Sequence, residues 1–216
     1  MGTLSIITIV IIAANVIISL KGFNDYSFFE KYKFNIASIQ RGEYFRYFSS
    51  AFLHVDMMHL LFNMITLYFF AEVVILSLGQ TSFLIIYVAS LLAGNLLSYY
   101  FHKNEAHYTA VGASGGVVGI LYSAILFYPD MPLYLFFIPI PIPAWVIGIG
   151  YMLYSIYGMK KRLGNIGHDA HFGGAIAGYV LTLVFAPVLF QTQIWIIVLL
   201  AVPIILLFSM QKMGKL

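Results

Sequence analysis

The sequence contains no cysteine. Disulfides, thiol nucleophiles and cysteine-ligated metals are excluded at once. Charge is nearly as scarce: Asp, Glu, Lys and Arg make up 9% of the 216 residues, against 62% hydrophobic. So few charges cannot cover a water-soluble domain, whereas a bilayer solvates an apolar exterior. The net charge of +3 rests on few residues. With no basic patch of the kind nucleic acid requires, no nucleic-acid partner is expected. No internal repeat is evident, and with it goes the symmetry that many transporters show.

What is present is apolar, aromatic and organised in runs. Phe and Tyr are abundant, at 19 and 16, as expected where rings pack in lipid and anchor at headgroups. Leu4–Leu20 is uncharged and close to the minimum length for crossing the hydrocarbon core. No basic residue precedes it and no small-x-small site follows, so it reads as a span rather than a signal peptide. Further spans are expected at 57–78, 82–101, 112–128, 144–159, 169–188 and 194–210. This is an all-α, polytopic membrane helix bundle of seven spans, read as one domain over 1–216. Residues 21–55 carry charge at intervals and read as a long, structured interfacial loop. Phe136 to Pro143 alternates Pro with Ile and cannot be helix; the fifth span therefore begins near Ala144 and ends before Lys160-Lys161-Arg162.

Even-numbered spans all start on the same side of the membrane. His59 and Asn63 lie early in the second, Ser114 opens the fourth, and His171 stands at the start of the sixth. Four polar side chains thus share a depth near one face. Nearly all Lys and Arg lie in the loops on that side, which the positive-inside rule assigns to the cytoplasm.

Gly112-Ala113-Ser114-Gly115-Gly116 has the G-x-S-x-G pattern. Without the strand–turn–helix context of soluble hydrolases the pattern is weak, and small residues equally mediate helix packing in membranes. Glycine here leaves the Ser114 hydroxyl unobstructed at a helix start, where free N–H groups can receive an oxyanion. His171 shares a helix face with Gly174 and Gly178, so it is buried wherever that smooth face packs. An ionisable group in a span is a functional candidate, though a histidine bridging two helices fits as well. His59 and Asn63, four apart on one face, supply donors for an oxyanion or for interhelical bonds. His168, Asp169 and His171 lack metal-ligand spacing and no H-E-x-x-H occurs, so no metal and no cofactor is expected. Asp169, two residues from His171 and on another face, reads as a cap for the sixth helix. Glu72, roughly opposite Asn63 on the second helix, reads as a loop or interhelix anchor rather than as catalytic.

The three motifs together, His54-x4-His59-x3-Asn63, Gly112-x-Ser114-Gly115 and Ala170-His171-x2-Gly174-x3-Gly178, occur in order on spans two, four and six. That combination resembles the rhomboid family of intramembrane serine proteases. Arg46 before Tyr47 resembles the family's Trp-Arg pair, with Phe45 in place of the Trp. The resemblance implies a six-helix core plus a C-terminal seventh helix, a Ser114 nucleophile and a His171 general base. It implies oxyanion-hole roles for His59 and Asn63, and structural roles for His54, Arg46, Glu72, Gly112, Gly115, Gly174 and Gly178. Val118 stands where some members carry an aromatic ring over the catalytic histidine, a change expected to loosen the imidazole. Substrates are expected to be single-span transmembrane proteins meeting the enzyme within membrane lipid, entering laterally near the fifth helix. A bacterial cytoplasmic membrane is the expected location, with the site opening away from the cytoplasm, opposite to what the charge rule indicates. The competing readings are an inactive relative that binds transmembrane helices and a small transporter.

Overall fold

The computed structural model describes residues 4–134, 140–161, 163 and 167–216. Phe136 to Pro139 of the Pro/Ile stretch, and Arg162, lie outside them. Among the described residues seven long helices run in chain order: α1 (Ile6–Asn24), α2 (57–78), α3 (80–102), α4 (Ser114–Phe127), α5 (Ala144–Lys161), α6 (His168–Phe185) and α7 (Ile194–Lys212). By length and composition, α1, the continuous α2–α3 segment and α7 are each apolar enough to cross a membrane. The chain is a multi-pass membrane protein.

Local chemistry explains the helix ends. The Ser5 hydroxyl accepts from the Thr8 amide and caps α1. Gly79, at φ 82° and ψ 164°, breaks an otherwise continuous helical run and reverses α2 into α3; a side chain would be strained at that φ. Helix α6 ends at Phe185, earlier than the expected 188, because Pro187 disfavours a helical Ala186, which sits at φ −130°. Helix α4 begins at Ser114 rather than Gly112, since Gly112 has φ +133°.

The first loop is more helical than an interfacial loop need be. Short helices cover Tyr26–Tyr32, Ile36–Gln40 and Arg46–Ser49, followed by a 3-10 turn at Ser50–Phe52. The strand β1 (Phe34–Asn35) pairs antiparallel with β2 (Thr109–Ala110), so this loop is stitched to the segment leading into α4. The strands β3 (Pro132–Leu133) and β4 (Ile142–Pro143) also pair antiparallel, at the opposite end of α4.

Helix α4 is the hub, packed between α2–α3 and α6 with almost every residue after Ser114 buried. Its 14 residues make it only about 21 Å long at 1.5 Å per residue, against the ~30 Å of a hydrocarbon core. Helices α4 and α6 meet backbone to backbone: a Cβ at Gly174 would lie 2.0 Å from the Gly115 carbonyl oxygen, and one at Gly178 would lie 2.2 Å from that of Gly119. The pairing order, 115 with 174 and 119 with 178, makes the two helices parallel. Their N-terminal ends, with Ser114 and His171, come together.

Candidate active site

The Ser114 hydroxyl lies 2.7 Å from Nε2 of His171. Ser114 is the first residue of α4, where the N–H groups of the opening turn have no intrahelical acceptor. His171 stands in the first turn of α6 and is 9% exposed. A cavity of about 1080 Å³ opens over the pair, lined among others by His59, Asn63, Gly112 and Tyr154. The sequence placed His59, Asn63, Ser114 and His171 near one face, and all four line this cavity.

His59 and Asn63 reach the cavity from α2. The Asp56 carboxylate accepts from the His59 amide at 2.7 Å and caps that helix. Asn63 is buried, and its amide donates to the His59 carbonyl at 3.0 Å, leaving its second N–H hydrogen for the cavity. The His59 ring lies close against Gly112, where a Cβ would come within 2.8 Å of its Cε1. Only glycine meets both demands at 112, the positive φ and the imidazole beside it.

His54 holds the approach to Ser114 from outside the cavity. The Ser19 hydroxyl donates to the Phe52 carbonyl at 2.9 Å, so its oxygen accepts from Nδ1 of His54 at 2.8 Å. Nε2 is then the acceptor for the Ala113 amide at 3.4 Å. One tautomer satisfies the whole chain, tying α1 and the first loop to the residue before Ser114. The Gly112 amide adds a bond to the Ser50 carbonyl at 3.0 Å.

Arg46 and Glu72 lie away from the pair. Buried Arg46 donates from Nη1 to the carbonyls of Glu30 and Lys33, at 2.9 and 2.7 Å, and from Nε to Glu43 at 2.8 Å. That hydrogen bond holds the Glu43 carboxyl below the usual carboxylate range. Arg46→Ala leaves two carbonyls without their donor and is expected to cost about 2 kcal/mol locally. Faster hydrogen exchange over 26–35, not restored by Arg46→Lys, is the measurement, because lysine lacks the planar fork. Glu72 accepts from the Ser5 amide at 2.8 Å and the Thr8 hydroxyl at 3.2 Å, joining α2 to the start of α1.

Two expectations change here. Asp169 does not cap α6, which starts one residue earlier at His168 and has no side-chain cap. It instead accepts from the Tyr108 hydroxyl at 3.4 Å. Burial, with the Asp169 charge beside it, pushes the Tyr108 phenol upward, so it remains the donor. Nor is the imidazole of His171 left without an aromatic neighbour by Val118. Tyr151 of α5 stacks on it with centroids 5.8 Å apart, and the Tyr151 hydroxyl lies 2.5 Å from Nδ1. Tyr151 is one of three tyrosines spaced three apart on α5, and nothing in the sequence singles it out.

A second cavity, of about 680 Å³, lies near the far end of α4 between Glu72, Asp130 and Gln193. It holds no nucleophile–base pair and shares no lining residue with the first.

Comparison with known proteins identifies the family of the chain. The model of the rhomboid domain matches residues 41–188. The chain is 29% identical over 185 residues to RHOMBOID-like protein 12, mitochondrial, of Arabidopsis thaliana, covering 79% of this chain and 55% of that one. It is 32% identical over 132 residues to Rhomboid protein 1, mitochondrial, of Saccharomyces cerevisiae (60% and 38%). It is 30% identical over 141 residues to Rhomboid protease GluP of Bacillus subtilis (65% and 26%). The chain thus spans between about a quarter and just over half the length of these relatives. Two of the three are named mitochondrial, so the expectation of a bacterial cytoplasmic membrane finds no support in them. The matched region contains each of the long helices, α2 to α6, that line the cavity around Ser114 and His171, and the chain belongs to the rhomboid family.

Proposed function

We propose that the whole chain acts as an intramembrane serine endopeptidase whose substrates are single-span transmembrane proteins. The observation that carries this reading is the 2.7 Å contact between a helix-initial serine and a buried histidine, at the floor of a cavity, in a membrane protein. His171 takes the Ser114 proton at Nε2 as Oγ attacks the peptide carbonyl carbon. The tetrahedral oxyanion meets the Ser114 N–H, the Asn63 amide and the His59 ring. His171 then gives the proton to the leaving amine as the C–N bond breaks. A water, deprotonated by the same histidine, releases the acyl group from Ser114.

The short α4 answers the need for water. Ser114 opens that helix, so the nucleophile lies at a helix end beneath a cavity of about 1080 Å³ whose lining includes His59, Asn63 and Thr109, which gives water a way to it. A transporter needs a polar path through the full depth, and two cavities with no shared lining residue do not favour one.

The test is cleavage of a labelled single-span substrate by the purified protein in detergent. Wild type is expected to cleave it, and Ser114→Ala and His171→Ala are not. A helix-binding relative without activity would instead capture the substrate uncleaved in wild type and Ser114→Ala alike. Removing one oxyanion donor by Asn63→Ala is expected to lower kcat on the order of a hundredfold with a smaller change in KM. An Asn63→Ala enzyme with unchanged kcat would remove Asn63 from the oxyanion hole and leave the dyad standing.

A further inference from the structure

A dyad histidine has a second ring nitrogen, and whatever holds that nitrogen sets the tautomer. For Nε2 to accept the Ser114 proton, the hydrogen of the neutral ring must be on Nδ1. In soluble serine proteases a buried carboxylate receives that hydrogen and orients the ring. Here the nearest acid in sequence, Asp169, is turned to Tyr108 and to His102, whose Nε2 lies 3.7 Å away. The group at Nδ1 is the Tyr151 hydroxyl, 2.5 Å away, on a ring that also stacks against the imidazole.

We propose that Tyr151 is the positioning residue of the dyad: its phenol oxygen accepts the Nδ1–H of His171, fixing tautomer and ring plane from helix α5. This rests on the protease reading above and adds a third member to the pair. A phenol suits the place because it accepts a hydrogen bond without bringing a buried charge into a membrane span, where an ionised carboxylate is costly. Its own position is secured by the way α5 is seated. Gly148, about one turn earlier, packs so closely that a Cβ would lie 2.8 Å from Ile125 of α4 and 3.7 Å from Leu200 of α7. The Gly148 carbonyl accepts from the Tyr122 hydroxyl, and Trp145 meets Trp195 edge to face at 6.2 Å. Helices α4 and α7 thereby hold α5 where its tyrosine meets His171. A displacement of α5 away from α6 breaks the Nδ1 contact, so the base is oriented only while α5 is in place.

The experiment compares full-length wild type, Tyr151→Phe, Ser114→Ala and, as a control, Tyr157→Phe, whose ring is exposed on the same helix. Tyr151→Phe keeps the stacked ring and removes only the hydroxyl. Two quantities are read in detergent: kcat and KM on the single-span substrate, and the imidazole 15N resonances of His171, assigned by their loss in His171→Ala. Tyr151→Phe is expected to lower kcat roughly tenfold or more with KM little changed. The same variant moves the His171 signal from the Nδ1–H form toward the Nε2–H form, while Tyr157→Phe alters neither. Unchanged kcat, or a lowered kcat with an unchanged 15N signature, overturns the proposal. If wild type shows no Ser114-dependent cleavage, the protease reading fails separately, and the 15N shift alone decides whether Tyr151 sets the tautomer.

Discussion

Ser114→Ala and His171→Ala are each expected to reduce substrate cleavage by a factor on the order of 10⁴ or more. The size follows from the geometry. Oγ and Nε2, 2.7 Å apart, form one proton-transfer unit, and no other serine–histidine pair among the described residues lines the cavity. Without Ser114 no acyl intermediate forms, and without His171 the hydroxyl keeps its proton at neutral pH. Members of such a unit are strongly non-additive, so the double variant is expected to be no slower than the worse single one. A stability control separates chemistry from folding. Ser114 is only half-buried, and removing its hydroxyl is expected to change stability by less than about 1 kcal/mol. Undiminished cleavage by either single variant would remove the dyad altogether.

The largest effect on stability is expected from Gly178→Ala and Gly174→Ala. A Cβ at these positions meets backbone, 2.2 Å from the Gly119 oxygen and 2.0 Å from the Gly115 oxygen. No rotamer change relieves a clash with a main-chain carbonyl, so α4 and α6 must move apart. Overpacking of this kind costs about 1–3 kcal/mol and occasionally more, and both contacts belong at the upper end. Gly174 is nearer the pair, so separation there also lengthens the Ser114–His171 contact and lowers kcat. Gly150→Ala is the matched control, because nothing lies within 4 Å of its Cβ position. Helix propensity makes that change neutral or stabilising, by up to about 1 kcal/mol. Unfolding of the three variants in detergent or mixed micelles measures the contrast. A Gly178→Ala protein as stable as Gly150→Ala would mean that α4 and α6 are not in backbone contact.

How much of this was legible beforehand depended on the range of the interaction. Runs of apolar residues place the helices, because crossing a bilayer imposes a length and forbids unpaired backbone. Helix parity then brings His59, Asn63, Ser114 and His171 to one face, and the small-residue repeats on α4 and α6 report a close contact. The helix ends were read less well where Gly112 and Pro187 act through backbone geometry. Asp169 was misread for a related reason. A residue two positions from His171 and next to a helix start resembles a cap, yet the Tyr108 hydroxyl that claims it comes from a loop sixty-one residues away.

By itself the sequence determined the class of molecule, the order of its helices and the identity of the nucleophile–base candidates, since those follow from hydropathy, periodicity and local spacing. The tertiary structure alone decided what holds His171. Val118 indicated an unsupported imidazole, but the supporting ring comes from α5 and its hydroxyl sits at Nδ1. Which of three tyrosines on α5 faces the histidine is set by how Gly148 seats that helix against α4 and α7. That seating is a balance of contacts among separate helices, and no pattern within one helix encodes it.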